Sequence, residues 1–259
     1  MTLRLAAVGA VAGLLSGLLG IGGGIIIVPG LMWAAGCDRH TASGTSLVAI
    51  LPIAVVAAAT YAVAPGGAFD PEASAIFVIG SLGGAVLGAR VNARVSERGL
   101  RLAFALITGV FGLRLAIPFG FGAGSKTLPL DLPAIVLLLV LGVNGGFLAG
   151  LLGVGGGAIA IAVMVFALGT SQVLAQGIAL VATIPTVIVG ALTHRRQGTL
   201  ALRTGLTVGF AGMALAIPGA LLAFALPVSL LRVMFGVFLI LGSIRTLQSL
   251  RASRPVPLQ

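Results

Sequence analysis

Charge is what this sequence has least of. Asp, Glu, Lys and Arg make up 8% of its 259 residues, and only five of them are acidic. Soluble domains carry roughly a quarter charged residues. With 59% hydrophobic residues and a mean hydropathy of +1.22, the whole length reads as membrane-embedded, with no soluble domain inside it. Cysteine is nearly absent as well. Cys37 stands alone, which excludes an intramolecular disulfide framework and a cysteine metal cluster, and leaves a thiol that packs as a small hydrophobe. There is no GxxxxGK[ST] loop for ATP. Asp38, Asp70, Glu72, Glu97 and Asp131 all fall at segment ends or in loops, so the buried carboxylates of cation-coupled carriers are missing. A carboxylate relay for protons is therefore not expected, although a protonated substrate would bring its own proton. No metal or other cofactor is expected either. The formal net charge of +10 does not point to nucleic acid, because the basic residues are scattered at the ends of apolar runs. There they set topology and attract anionic lipid headgroups.

What the chain has in abundance is glycine, and it is used twice in the same way. Gly13 to Gly24 reads GLLSGLLGIGGG and Gly146 to Gly157 reads GFLAGLLGVGGG, with nine of twelve positions identical. The same offset of 133 residues pairs Ala42 with Ala175, Gly44 with Gly177, Leu47 to Ala49 with Leu180 to Ala182, and Pro52 with Pro185. The chain is thus a duplication, each half opened by an apolar segment that breaks at a glycine cluster.

Five apolar segments are expected per half: about 3–19, 25–35, 41–64, 73–91 and 100–121, then 132–152, 158–168, 173–193, 205–225 and 230–250. The second of each set is too short to cross about 30 Å of hydrocarbon alone. It is either half of a re-entrant pair or a full span that recruits the glycine loop. Both give the same parity, and both put Arg4, Arg39, Arg90, Arg94, Arg98, Arg101, Arg195, Arg196, Arg203, Arg245, Arg251 and Arg254 on one face. Lys126, Arg114 and Arg232 lie nearer the other, beside Asp70, Glu72 and Asp131. The arginine face is expected to be cytoplasmic, with both termini inside. The N-terminal run reads as the first membrane segment, since its counterpart in the second half is internal. The expected fold is an all-α membrane protein of two inverted-topology repeats, with 8–10 membrane segments and broken or re-entrant helices at the glycine clusters. Residues 1–122 form the first repeat, 123–131 a linker, 132–252 the second repeat, and 253–259 a disordered tail.

Small residues recur every fourth position at Gly9, Gly13 and Gly17, at Gly142, Gly146 and Gly150, and at Gly80, Gly84 and Gly88. Such ladders let helices approach closely. The first two are expected to bring the broken elements together, and the third leaves a spare face on which a homodimer could form. The clusters Gly20, Gly22, Gly23, Gly24 and Gly153, Gly155, Gly156, Gly157 exceed what packing needs. Ahead of a helix start, bare N–H donors and the positive dipole end make an anion cradle; a ligand-free hinge is the other reading. Ser43, Thr45 and Ser46 in one half, and Gln176, Thr183 and Thr186 in the other, offer neutral donors for an oxyanion, or bond back to their own helices. Asn144 carries the same two readings. Pro52 and Pro185 are expected to kink matching helices. His40 and His194 read as interfacial residues beside arginines.

The run Gly20 to Gly24, then Pro29, then Gly44-Thr45-Ser46, with a second copy at Gly153 to Gly157, resembles the sulfite exporter TauE/SafE family over nearly the whole chain. The second copy departs from it, with Ala162 and Gly177-Ile178-Ala179 in place of the proline and the Gly-Thr-Ser stretch. The resemblance implies movement of sulfite or related organosulfur anions across the cytoplasmic membrane, with both cradles or only one holding substrate. The expected function is a secondary transporter of a small sulfur oxyanion, exporting by alternating access, with Gly20, Gly22, Gly23, Gly24, Thr45, Ser46, Gly153, Gly155, Gly156, Gly157, Gln176 and Thr183 as its substrate-binding residues. A passive anion channel built from the same parts is the alternative. Enzymatic chemistry is not expected, since Cys37 stands alone and His40 and His194 lack acidic partners within the apolar segments.

Overall fold

The computed structural model describes residues 2–64, 66–91, 97–117, 124–125, 127–152 and 157–252. Among them are ten helices: α1 (Thr2–Leu19), α2 (Gly24–Ala35), α3 (Arg39–Val63), α4 (Pro71–Val91), α5 (Glu97–Ala116), α6 (Leu132–Leu152), α7 (Gly157–Ala167), α8 (Gln172–Arg196), α9 (Leu202–Ala225) and α10 (Val228–Ala252). The 133-residue offset carries α3 onto α8 end for end and α2 onto α7 to within a residue. Arg94, Lys126, Arg254, Gly153, Gly155, Gly156 and the tail lie outside the described residues, as do residues 118–123 between α5 and α6.

The scarce acids turn out to start helices. Asp38 Oδ2 accepts from the backbone N–H of His40 (3.0 Å) and Thr41 (3.3 Å) at the head of α3. Asp70 Oδ1 and Asp131 Oδ1 accept from Ala73 and Ala134 N–H, each at 3.0 Å, at the heads of α4 and α6. Ser171, the offset partner of Asp38, caps α8 through Leu174 N–H at 3.3 Å. A carboxylate at an N-cap satisfies an orphan donor and meets the positive end of the helix dipole.

Seven helices are long and apolar enough to cross a membrane, and large side chains such as Val55, Ile79, Val110 and Phe210 stand exposed on the outside. With no water to compete, such an outer surface suits hydrocarbon. The short α2 and α7 are different. At 1.5 Å per residue, the 12 residues of α2 reach about 18 Å, far short of the bilayer core. Instead α2 doubles back along α1: a Cβ on Gly30 would lie 3.0 Å from Val8 Cγ2, one on Gly23 would lie 3.1 Å from Ala12 O, and the Arg4 guanidinium stands 5.5 Å over the Trp33 ring. The α1–α2 hairpin thus enters and leaves at one end of the molecule. At the other end α7 returns to Arg114, whose guanidinium lies 5.9 Å over Phe166.

The glycine ladders do bring helices together, but not the pair expected. Gly9, Gly13 and Gly17 of α1 press on the backbone carbonyls of Val208, Gly212 and Ala216 in α9. Gly80, Gly84 and Gly88 of α4 do the same to Leu139, Val143 and Phe147 of α6. Each half therefore lends its first helix to the fourth helix of the other half. The Gly80 face is not spare: α6 already covers it, so it offers no surface for a homodimer. The centre is filled by α3 against α8, running antiparallel: Gly44 faces His194, Leu47 faces Gly190, and Tyr61 faces Gln176 and Gly177. The equivalent helices α5 and α10 also pair antiparallel, with Ser243 Oγ donating to Ala105 O at 2.6 Å and Gly112 against Gly236.

Candidate functional site

The tip of the α1–α2 hairpin is a run of left-handed glycines. Gly20, Gly22 and Gly23 have φ of 71°, 74° and 77°, a region where side chains with a Cβ are strained. Gly20 N–H closes α1 on Ser16 O at 2.8 Å, and Gly23 O accepts from Ile26 and Ile27 as α2 begins at Gly24. The N–H groups at this start have no carbonyl ahead of them in the helix, and Gly23 carries no capping side chain.

The tip packs on α3 of its own half through Ile50 and reaches across to the other half as well. A Cβ on Gly20 would lie 2.7 Å from Gln176 Cγ, and one on Gly22 would lie 3.2 Å from Thr183 Cγ2. Gln176 and Thr183 belong to α8 of the second half. Gly157, at the start of α7, comes to the same place: a Cβ there would lie 3.8 Å from Gly20 O and 3.5 Å from Ala179 Cβ. Of the expected site residues, Gly20, Gly22, Gly23, Gly24, Gly157, Gln176 and Thr183 are therefore gathered in one interior region; Gly153, Gly155 and Gly156 are outside the described residues. Beside Gly157 a cavity of about 20 Å³ is lined by Ser81, Gly146, Thr183 and Thr186 among others, room for little more than one water.

Thr45 and Ser46 are not gathered there. Thr45 is fully buried and its Oγ1 accepts from Ala201 N–H at 3.0 Å, fixing the lead into α9, while Ser46 Oγ donates back to Ser43 O at 2.7 Å. Both sit in the part of α3 that packs against His194 and the start of α9. Thr183 likewise bonds its own helix at Ala179 O (2.8 Å), and Thr186 reaches Ala182 O (2.7 Å) and Ser81 Oγ (3.0 Å). Asn144 donates to Val140 O at 2.7 Å and faces outward. His194 is not an exposed interfacial residue: it is buried, with Nδ1 2.9 Å from Thr199 Oγ1. His40 is exposed.

Gln176 is the best-placed donor. It is fully buried; its Oε1 lies 2.9 Å from the Tyr61 hydroxyl, and its Nε2 has no hydrogen-bond partner. Tyr61 itself escaped the sequence reading. It is the one tyrosine of the chain, and its hydroxyl also lies 2.9 Å from Gly17 O, three residues short of the tip. Two signals pointed to it: a lone phenol within an apolar segment, and the 133-residue offset to His194. The side chains gathered at the tip, Gln176, Thr183 and Tyr61, are all uncharged and carry N–H or O–H groups.

A chain whose described elements are all helices, seven of them membrane-crossing candidates, and whose first glycine tip meets the start of α7 in the interior, has the makeup of a polytopic membrane transporter. The family model described as "Sulfite exporter TauE/SafE" matches residues 1–115 and 138–258, and the chain belongs to that family of membrane transporters. It is similar to "Probable membrane transporter protein YunE" of Bacillus subtilis (strain 168), at 26% identity over 185 residues. That match takes in 62% of this chain and 66% of the relative, just under two thirds of the relative's length. No solved structure matches the chain.

Proposed function

We propose that the protein is a secondary transporter that moves a small sulfur oxyanion, sulfite or a related organosulfonate, out across the cytoplasmic membrane by alternating access. The observation that carries this reading is the meeting of the Gly20–Gly24 tip with Gly157, Gln176 and Thr183 of the other half. Broken helices facing one another inside a membrane protein are where transporters hold substrate. The anion is taken by N–H groups at the start of α2 and by the Gln176 amide, assisted by the Thr183 side. By the duplication, Gly153, Gly155 and Gly156 complete the second cradle. Thr45 and Ser46 drop out of the proposed set because they lie away from the tip, beside the start of α9 and the His194 end of α8. Neutral donors suit this task, since they bind a desolvated anion without a buried cation to neutralise when the site is empty.

The two repeats are inverted with respect to the membrane and the hairpins are re-entrant. The antiparallel pairing of the equivalent helices α3 and α8 supports this: a two-fold that reverses a spanning helix lies in the membrane plane. Arginine bias places both termini inside. Sulfur oxyanion as substrate rests on the family.

Initial uptake of radiolabelled sulfite into liposomes holding the purified protein, with and without a pH gradient, against sulfate and chloride, tests the reading. Saturable sulfite flux is expected, and acceleration by the gradient marks a coupled carrier. Flux linear in driving force without saturation turns the reading to a channel. Flux of another anion without sulfite overturns the substrate.

A further inference from the structure

Tyr61 holds one proton between two oxygens. Its Oη is 2.9 Å from Gly17 O, the carbonyl of the helix that ends in the first glycine tip, and 2.9 Å from Gln176 Oε1, on α8 of the other half. All three groups are buried in a low-dielectric interior, where each hydrogen bond counts for more than in water. A backbone carbonyl can only accept, and a phenol has one O–H to give. When that proton lies on Gly17 O, the phenol oxygen turns a lone pair toward Gln176. The amide end that satisfies it is then the N–H, which leaves Oε1 as the free end and repels an anion. When the proton lies on Oε1, the amide is held with Nε2 as the free end, a donor without a partner. Gly17 O has then lost its bond to the phenol.

We propose that Tyr61 is a positioning residue for the substrate: it fixes which end of the Gln176 amide faces the anion, and it makes anion binding and the tethering of the α1 end compete for one proton. The inference rests on the site proposed above and adds to it the group that sets its polarity. Substrate thereby gains a lever on the first hairpin. A bound oxyanion selects the amide with Nε2 outward, the phenol then donates to Oε1, and the tip is freed from the side chain that ties α1 to α3. With the site empty, the proton returns to Gly17 O.

The chain's single tyrosine makes the native protein its own reporter, since the hydrogen-bond state of a phenol is read in the intensity ratio of its ring doublet in ultraviolet Raman spectra. With the full chain in detergent, sulfite and sulfoacetate are the probes, and equilibrium dialysis gives their binding. Saturating probe is expected to shift the ratio toward a phenol that only donates. Binding with an unchanged ratio overturns the proposal. Binding of neither probe overturns the site reading beneath it. Transport kinetics for Tyr61→Phe, Gln176→Ala and the double variant add a second test that keeps shape nearly constant at Tyr61. Loss of one buried hydrogen bond to the ligand is worth roughly tenfold in KM. Tyr61→Phe is expected to raise KM about tenfold with Vmax within about twofold, and the double variant to match Gln176→Ala within about twofold, as groups acting through one another do. Singles whose effects multiply, or a Phe variant with wild-type KM beside an impaired Gln176→Ala, sink the positioning role alone; a wild-type KM in Gln176→Ala sinks the site. If the Phe variant does not fold, the wild-type spectra decide.

Discussion

Replacing Gly13 by alanine tests the exchange of first helices between halves. The new methyl group would land on the Gly212 carbonyl oxygen and lie 2.6 Å from Gly212 Cα. Carbon atoms pack at about 3.5 to 4 Å, so α1 and α9 must part by about 1 Å along a seam that also holds Gly9 and Gly17. Neither partner can yield by rotating a side chain, because the obstruction is backbone. Overpacking of this kind costs about 3 kcal/mol, the upper part of its usual range, and alanine returns about 1 kcal/mol in helix propensity. The net loss is about 2 kcal/mol, or roughly 4 to 8 °C in melting temperature for a chain of this size. Gly83 is the control. It lies on α4 next to the Gly84 ladder, but a Cβ there meets nothing within 4 Å, so Gly83→Ala is expected to hold or raise the melting temperature. The assay is thermal unfolding of purified variants in one detergent, followed by near-ultraviolet circular dichroism of Trp33 and Tyr61. A Gly13→Ala protein that melts at or above the wild type, or a Gly83→Ala protein that falls as far, would refute the reasoning.

Other outcomes follow from the same geometry. Gly20→Ala puts a side chain at φ 71° against Gln176 and is expected to abolish sulfite transport in liposomes while the protein still elutes as a folded species; wild-type rates would remove the tip from the site. Thr45→Val takes the acceptor from the half-buried Ala201 N–H, a loss of about 1 kcal/mol, and is expected to lower the melting temperature without changing KM; a raised KM would return Thr45 to the substrate. The Asp38 carboxylate is held below its ordinary range, first by the Thr41 hydroxyl and then by the backbone N–H of Thr41. Its contribution is present above the unfolded carboxylate range and is lost as pH falls through the lowered native value. Melting temperature is therefore expected to drop more on acidification in the wild type than in Asp38→Asn, and equal drops would contradict the capping role.

Much of the fold was legible because the duplication made each half a check on the other. A glycine cluster followed by a short apolar run marks a broken hairpin wherever it stands, and the offset that pairs Pro52 with Pro185 also sets the limits of α3 and α8. Partner choice was not legible. Gly9, Gly13 and Gly17 announce a face that another helix will approach closely, but a bare backbone stripe carries no address, and α9 is distant in sequence. The candidate site divided in the same way. Backbone conformation at Gly20 to Gly23 is encoded locally and could be read; the destination of a hydroxyl is not. Thr45 and Thr183 are chemically alike in the sequence, and only packing across halves commits one to Ala201 N–H and puts the other beside Gly22.

The exchange of first helices also governs how the protein is made. When α1 leaves the ribosome it presents a stripe of naked backbone, and its match, α9, emerges eight helices later. Until then the stripe has only lipid or a passing chaperone against it, whereas α6 finds α4 already in place. Synthesis therefore closes the second half's loan at once and keeps the first half's open almost to the end. Neither half on its own can be a finished object: expressed apart, each would carry two glycine faces still waiting, on its first and its fourth helix, and the two would complete each other only by meeting in the same membrane.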